Sequence, residues 1–160
     1  MKTILLSNNQ ELPALLDQWE PRLLALPSDT IANRRNKQNR TIKQIMGHLV
    51  DSASNNTHRI VHFQYQATPM VFPDYANLGN NDRWITIQDY QHEDWHSLVQ
   101  LWKYTNLHIV HVFNHIDESK LDHVWVSALN KQITMRDMIT SYLGHVKLHL
   151  SEIEELIQMD

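Results

Sequence analysis

Hydrophobic residues recur along this chain at helical spacing in four separate blocks. In residues 9–26, "NQELPALLDQWEPRLLAL", Leu12, Leu15, Leu16, Trp19, Leu23 and Leu26 follow one another at three-and-four spacing, which predicts an amphipathic helix. Pro13 suits the first turn of that helix, and Pro21 is expected to kink or divide it. A second block opens at Thr41, which with Gln44 forms a capping box, and Ile42, Ile45, Met46 and Leu49 then make an apolar stripe. That pattern runs to about Gln66. A third block covers roughly 93–116, with Leu98, Leu101, Trp102, Ile109, Val112, Phe113 and Ile116 on its apolar face. The fourth opens at Thr134, with Asp137 in the capping-box position, and continues to about Gln158 on Ile139, Leu143, Val146, Leu150, Ile153 and Ile157.

The intervening stretches lack this period. Residues 27–40 carry "RRNKQNR", a basic run without interleaved aromatics, which reads as a solvated connection rather than a nucleic-acid patch. Residues 67–91 combine prolines, Gly-Asn-Asn and several aromatics in a link long enough to be functional or folded over something. Within 117–132, "HVWVSAL" fits either a short strand or buried coil. Four amphipathic segments imply an all-α four-helix bundle over residues 1–160, one domain, with a long aromatic-rich link between helices two and three. A link of that length suggests that these two helices need not be simple hairpin neighbours.

Composition narrows the function classes. A hydrophobic fraction of 42% with 20% charged residues is ordinary for a globular domain, and only 3 Gly and 5 Pro favour long regular elements. The net charge of −4 supplies no general attraction to nucleic acid or an anionic membrane. The absence of cysteine excludes disulfides, a zinc ribbon and a cysteine nucleophile, and fits a cytoplasmic protein. "MKTILLSNNQ" is too short an apolar run for a signal peptide, and no stretch approaches the ~18 apolar residues of a spanning helix.

The 11 histidines change the picture. His58/His62, His92/His96, His111/His115 and His145/His149 are each four apart, where two imidazoles on one helix face can share an ion. Roughly one such pair is expected by chance at this histidine content, so spacing alone does not choose among them. The His111/His115 pair, with His108, sits among Asn114, Asp117 and Glu118 at a solvated helix end, and His92/His96 lies at a helix start. His145 and His149 border the apolar stripe of the fourth helix, with Glu152 three residues beyond. Val146 stands where the general-base Glu of an HExxH protease would be, so that chemistry is absent. On the second helix, at about 100° per residue, Gln44, His48, Ser52, Asn55, Arg59 and His62 form one polar strip. That strip reads either as a pocket wall or as a solvent face, and His48 on it is the candidate third ligand.

"TIKQIMGHLVDSASNNTHRI" and "ITSYLGHVKLHLSEIEEL" together resemble the DinB-like/YfiT-like family of four-helix-bundle metalloproteins. The family pattern is His, two apolar residues and Asp on the second helix, then His-x-x-x-His on the last. His48-Leu49-Val50-Asp51 and His145/His149 match it, and the resemblance spans about residues 40–158. It implies a divalent ion, zinc or nickel, on His48, His145 and His149, with Asp51 or Glu152 orienting a ligand imidazole. Asn55, Arg59 and Asn106 can then hold a polar or carboxylate-bearing cosubstrate, with Trp84 and Tyr75 as pocket lids; the ordinary alternative puts Trp84 and Tyr75 in the core and pairs Arg59 with an acid elsewhere. Three neutral imidazoles with open positions suit a catalytic ion that activates bound water or a thiol. Without cysteine, that thiol comes from a small molecule. The implied activity is transfer of a low-molecular-weight thiol to an electrophile, or hydrolysis of a small substrate. The alternative is a non-catalytic helical module that binds metal or a protein partner. Homodimers are common in families of this kind, although no residue pattern here marks an interface.

Overall fold

Side-chain caps set where the three later bundle helices begin. In the computed structural model, which describes residues 2–159 and side chains from Gln10 onward, the Thr41 hydroxyl accepts from the Gln44 amide. The Gln44 side chain returns the bond to the Thr41 N–H at 3.0 Å, and α3 (Ile42–Tyr65) follows. Thr134 and Asp137 make the same reciprocal pair ahead of α6 (Met135–Ile157). Asp94 caps α5 (Trp95–Phe113), which is shorter at both ends than the apolar pattern suggested. The apolar run near the N-terminus lies outside the described side chains.

The first helix departs from expectation. α1 (Lys2–Leu24) is continuous through Pro13 and Pro21, neither of which divides it. Each proline removes one backbone hydrogen bond. Full burial of Leu12, Leu16 and Leu23, with Trp19 nearly so, supplies the packing that keeps the helix in one piece. The basic connection is also more than solvated coil, because α2 (Ser28–Asn33) opens it and two of its arginines are structural. Arg34 donates to the terminal carbonyls of Leu156 and Ile157 on α6. Arg40, 5% exposed, pairs with Asp82 at 2.6 Å.

The bundle comprises α1, α3, α5 and α6. α3 packs on α5 and on α6, and α1 packs on the same two helices. Round the bundle the order is therefore α1, α5, α3, α6. The second and third bundle helices are close neighbours, which settles a question that their long link had left open. The connections after α1 and after α5 are the ones that cross the bundle. The crossing after α5 contains a hairpin of β1 (Val124–Val126) and β2 (Gln132–Thr134), antiparallel with Trp125 opposite Ile133. "HVWVSAL" is thus a strand followed by a turn. No described helix is long and apolar enough to cross a membrane.

The link between α3 and α5 is only partly irregular, since it contains α4 (Asn80–Gln88) and a 3₁₀ turn at Tyr90–His92. Gly47 makes room for that turn. A Cβ there would stand 2.1 Å from the Tyr90 ring, so the ring lies directly on the α3 backbone. The Tyr90 hydroxyl then donates to Asp51 one turn along, at 2.7 Å. Met70 donates its N–H to Val124 O at 2.7 Å, fastening the start of the link to β1. Replacing Gly47 by Ala forces Tyr90 outward and should destabilise the protein by about 1–3 kcal/mol. Thermal melts of Gly47→Ala, expected roughly 2–4 °C lower per kcal/mol, check this.

A candidate three-histidine metal centre

His48 projects from α3, and His145 and His149 from successive turns of α6, the neighbour of α3 in the bundle. His145 Nε2 lies 3.1 Å from His149 Nε2 and 3.4 Å from His48 Nε2. The three ligand atoms lie within 4.8 Å of one another. A tetrahedral ion with metal–nitrogen bonds of ~2.0–2.1 Å has ligand-to-ligand edges of ~3.3 Å, so the spacing fits a divalent ion of zinc size. His48 and His149 are 5% and 7% exposed, and His145 is half-buried, leaving an approach on its side.

The outer nitrogens of the three rings are held to different degrees. His149 Nδ1 donates to Glu152 Oε2 at 3.0 Å, which fixes the tautomer that leaves Nε2 as a lone pair. His145 Nδ1 meets the Ser52 hydroxyl at 3.4 Å. His48 Nδ1 is buried without a partner. Burial, reinforced by the neighbouring imidazoles, pushes the His48 pKa down to about 2 and that of His145 down to about 4. Both are therefore neutral at pH 7 and present electron pairs where a cation would sit.

The acidic candidates separate. Glu152 bonds a ligand imidazole. Asp51 Oδ1 accepts from Tyr90 and Gln88 instead, and its Oδ2 is buried without a partner. Burial raises the Asp51 pKa. Asp51 thus ties the inter-helix link to α3 and makes no hydrogen bond to a histidine of the cluster.

A cavity of about 250 Å³ opens beside His145 and runs between α3 and α6 under the link and hairpin. Arg59, Tyr75 and Ser52 line it. Tyr75 is buried, its ring 6.4 Å from that of His48, and burial pushes its pKa up to about 12. The other expected pocket residues lie elsewhere. Trp84 is 37% exposed and meets the Tyr75 ring edge-on at 5.9 Å, from outside the cavity wall. Asn55 donates to the Asp51 carbonyl and is also off the wall. Asn106 is wholly buried, donating to Trp102 O and accepting from Tyr142, so it supports the wall through Tyr142.

Sequence reasoning missed Tyr142, Met138 and Trp125. Tyr142 was legible, standing one turn before His145 on the same face of α6. Trp125 was not, because a three-residue strand carries no usable period. Its ring stacks 3.7 Å from the Arg59 guanidinium, and its indole N–H donates to Phe72 O at 3.0 Å. The rival His108, His111 and His115 are exposed on α5 and the turn after it, and His58 on α3 is exposed too.

Fold and centre together define a four-helix bundle with one three-histidine group among its described residues. No family model and no curated sequence matches the chain. Solved structures do. YfiT from Bacillus subtilis, described as a probable metal-dependent hydrolase with an unusual four-helix bundle topology, superposes with a TM-score of 0.78. The match covers 97% of this chain and 84% of YfiT, at 18% identity. The mycothiol-dependent maleylpyruvate isomerase superposes with a TM-score of 0.73, over 93% of this chain and 60% of the isomerase, at 11% identity. A histidine-to-alanine variant of that isomerase gives 0.71 at 12% identity. The likeness is one of fold, and it bears out the DinB-like/YfiT-like architecture expected from the sequence.

Neutral buried histidines also make metal-free stability depend on pH. Between the ordinary value of 6.5 and the folded values of about 4 and about 2, the unfolded chain binds protons that folded His145 and His48 do not. Stability from these groups is complete above pH 6.5 and is lost as pH falls, with a limiting slope of about 1.4 kcal/mol per pH unit for each. Urea titrations of chelated protein from pH 7.5 to 4.5 should show this fall, with a shallower slope in His48→Leu.

Proposed function

We propose that the chain is a single-domain metal-dependent enzyme of the DinB-like/YfiT-like family, acting on a small molecule in the cytoplasm. His48, His145 and His149 hold one zinc or nickel ion. The reaction is transfer of a low-molecular-weight thiol to an electrophile, or hydrolysis at the same centre. The observation that carries this reading is the convergence of three imidazole nitrogens, two of them on rings whose pKa burial lowers, beside an open cavity. The fold shared with a probable metal-dependent hydrolase and a mycothiol-dependent isomerase supports it.

When bound, a divalent ion on three neutral imidazoles with an open position acts as a Lewis acid toward an oxygen or sulfur ligand. The protein's own groups do the rest. Glu152 holds the His149 proton on Nδ1 and keeps that ring oriented. Ser52 steadies His145 from behind. Tyr75 keeps its phenolic proton at neutral pH and stands in the wall as a hydrogen-bond donor. Tyr142, held by Asn106, and Trp125 exclude water from the far end. With no cysteine in the chain, a thiol nucleophile enters as cosubstrate.

Metal analysis of untagged protein by plasma mass spectrometry tests the reading. About one ion per chain is expected, lost in His48→Ala and retained in His111→Ala, with Glu152→Gln weakening affinity about 10–100-fold. Thiol-consumption and ester-cleavage assays on the same samples should lose turnover in parallel with metal. A protein that takes up neither zinc nor nickel on reconstitution is not this enzyme. Metal binding without any turnover would leave a non-catalytic metal-binding module.

A further inference from the structure

Arg59 is a cation, 5% exposed, with no carboxylate bonded to it among the described residues. Its guanidinium is stacked on Trp125 and lies 5.4 Å from the Phe72 ring. Nη1 has only the Met138 sulfur, at 4.0 Å, while Nε and Nη2 are buried without a partner. Two other arginines show what that Nε/Nη2 edge does when satisfied. Arg40 presents it to Asp82 Oδ1 at 3.0 and 2.6 Å, and Arg136 presents it to Asp122 Oδ1 at 3.1 and 2.9 Å. Two acids share its surroundings, Asp137 on the same cavity wall and Asp74, whose charge acts on Arg59 without bonding to it, and the oxygens of both are engaged elsewhere. Asp137 accepts from Thr134, and Asp74 accepts from Asn77 and from the Ala76 and Ala128 amides. A buried charge with idle donors is expensive unless something else answers it.

That something has a place to sit, because Arg59 and Met138 both line the cavity that ends at His145. We propose that the cavity holds its substrate by a carboxylate on Arg59, the acid's reacting end lying at the open face of the three-histidine centre. The inference rests on the proposed function for its second half and stands on Arg59 alone for its first. Entry displaces the Met138 thioether, a side chain with freely rotating bonds, and brings oxygen to a guanidinium now facing sulfur. One cation among aromatic walls suits a singly charged planar group better than a phosphate, which calls for more donors. The distance between the two ends limits the substrate. Met138 precedes His145 by seven residues, ~10 Å along α6. The carboxylate and the reacting atom are therefore several bonds apart, too far for an acetate-sized acid. A cavity below the ~300–1,000 Å³ usual for drug-sized ligands keeps that acid small.

The test uses phenylpropionate, its uncharged amide, acetate and inorganic phosphate. NMR follows the Trp125 indole and Arg59 Nε signals in full-length protein freed of metal by chelation. Phenylpropionate should shift both signals and bind at least about tenfold more tightly than phenylpropionamide, and acetate should bind weakly. Arg59→Gln should erase the preference for acid over amide. Arg59→Met should melt no lower than wild type, because no acid pairs with the charge and an apolar side chain can also pack on Trp125. Equal binding of acid and amide, a preference kept in Arg59→Gln, tighter binding of phosphate, or a large fall in melting temperature for both variants would each overturn the proposal. So would binding seen only after zinc is restored, which places the acid on the ion. If the protein takes up no metal yet binds the acid as described, the enzyme reading fails and the Arg59 seat stands.

Discussion

The seam between α3 and α6 is the constraint on which this molecule depends. Three imidazole nitrogens converge there, and burial holds the pKa of His48 and His145 well below the ordinary histidine value. Such an arrangement opposes folding and persists because α3 and α6 pack together around it, with Leu49, Ala53, Val146 and Leu150 all buried in one core. Local cost at the site and consistent packing around it are the usual partnership in a functional centre. Glu152 and Ser52 limit that cost by orienting two of the rings. His48 Nδ1 and Asp51 Oδ2 remain without partners, so the α3 side of the seam is less completely satisfied.

The connectors turn that seam into a site. Because α1 lies diagonal to α3, and α5 to α6, two connections must cross the bundle, while the link joining the neighbours α3 and α5 is free to fold back over one end. Tyr90 resting on Gly47 anchors that link. Met70 and Phe72 bond it to the hairpin, and Thr134 serves as both the last residue of β2 and the cap of α6. Trp125 is thereby held against Arg59 by the element that also begins the histidine-bearing helix. The aromatic wall strengthens every polar interaction inside it by excluding water.

Shared architecture at 18% identity with YfiT shows how little side-chain identity a bundle demands. Four apolar stripes of sufficient length, capped at the correct places, specify it, and many sequences satisfy those terms. Chemistry is more exacting, since it needs particular atoms at bonding distance, and a common fold therefore does not carry a common reaction. Here the centre argues for itself from its nitrogen geometry and from the protonation states that burial imposes.

Much of this was legible in the chain. The four stripes and the Thr41 and Thr134 boxes announced the bundle, because helical period and capping are local properties. The likeness of "GHLVD" and "GHVKLH" to a known family singled out His48, His145 and His149 from a background of eleven histidines, which spacing alone could not do. Three features were decided only by tertiary structure. One was the order of helices round the bundle, set by which stripes pack together. Another was the division of labour between Glu152, which reaches an imidazole, and Asp51, which holds the link. The last was the pairing of Arg59 with Trp125, 66 residues apart in the chain, inside one cavity wall. A repeating pattern records which face of a helix avoids water. It does not record which distant residue will be waiting on the other side.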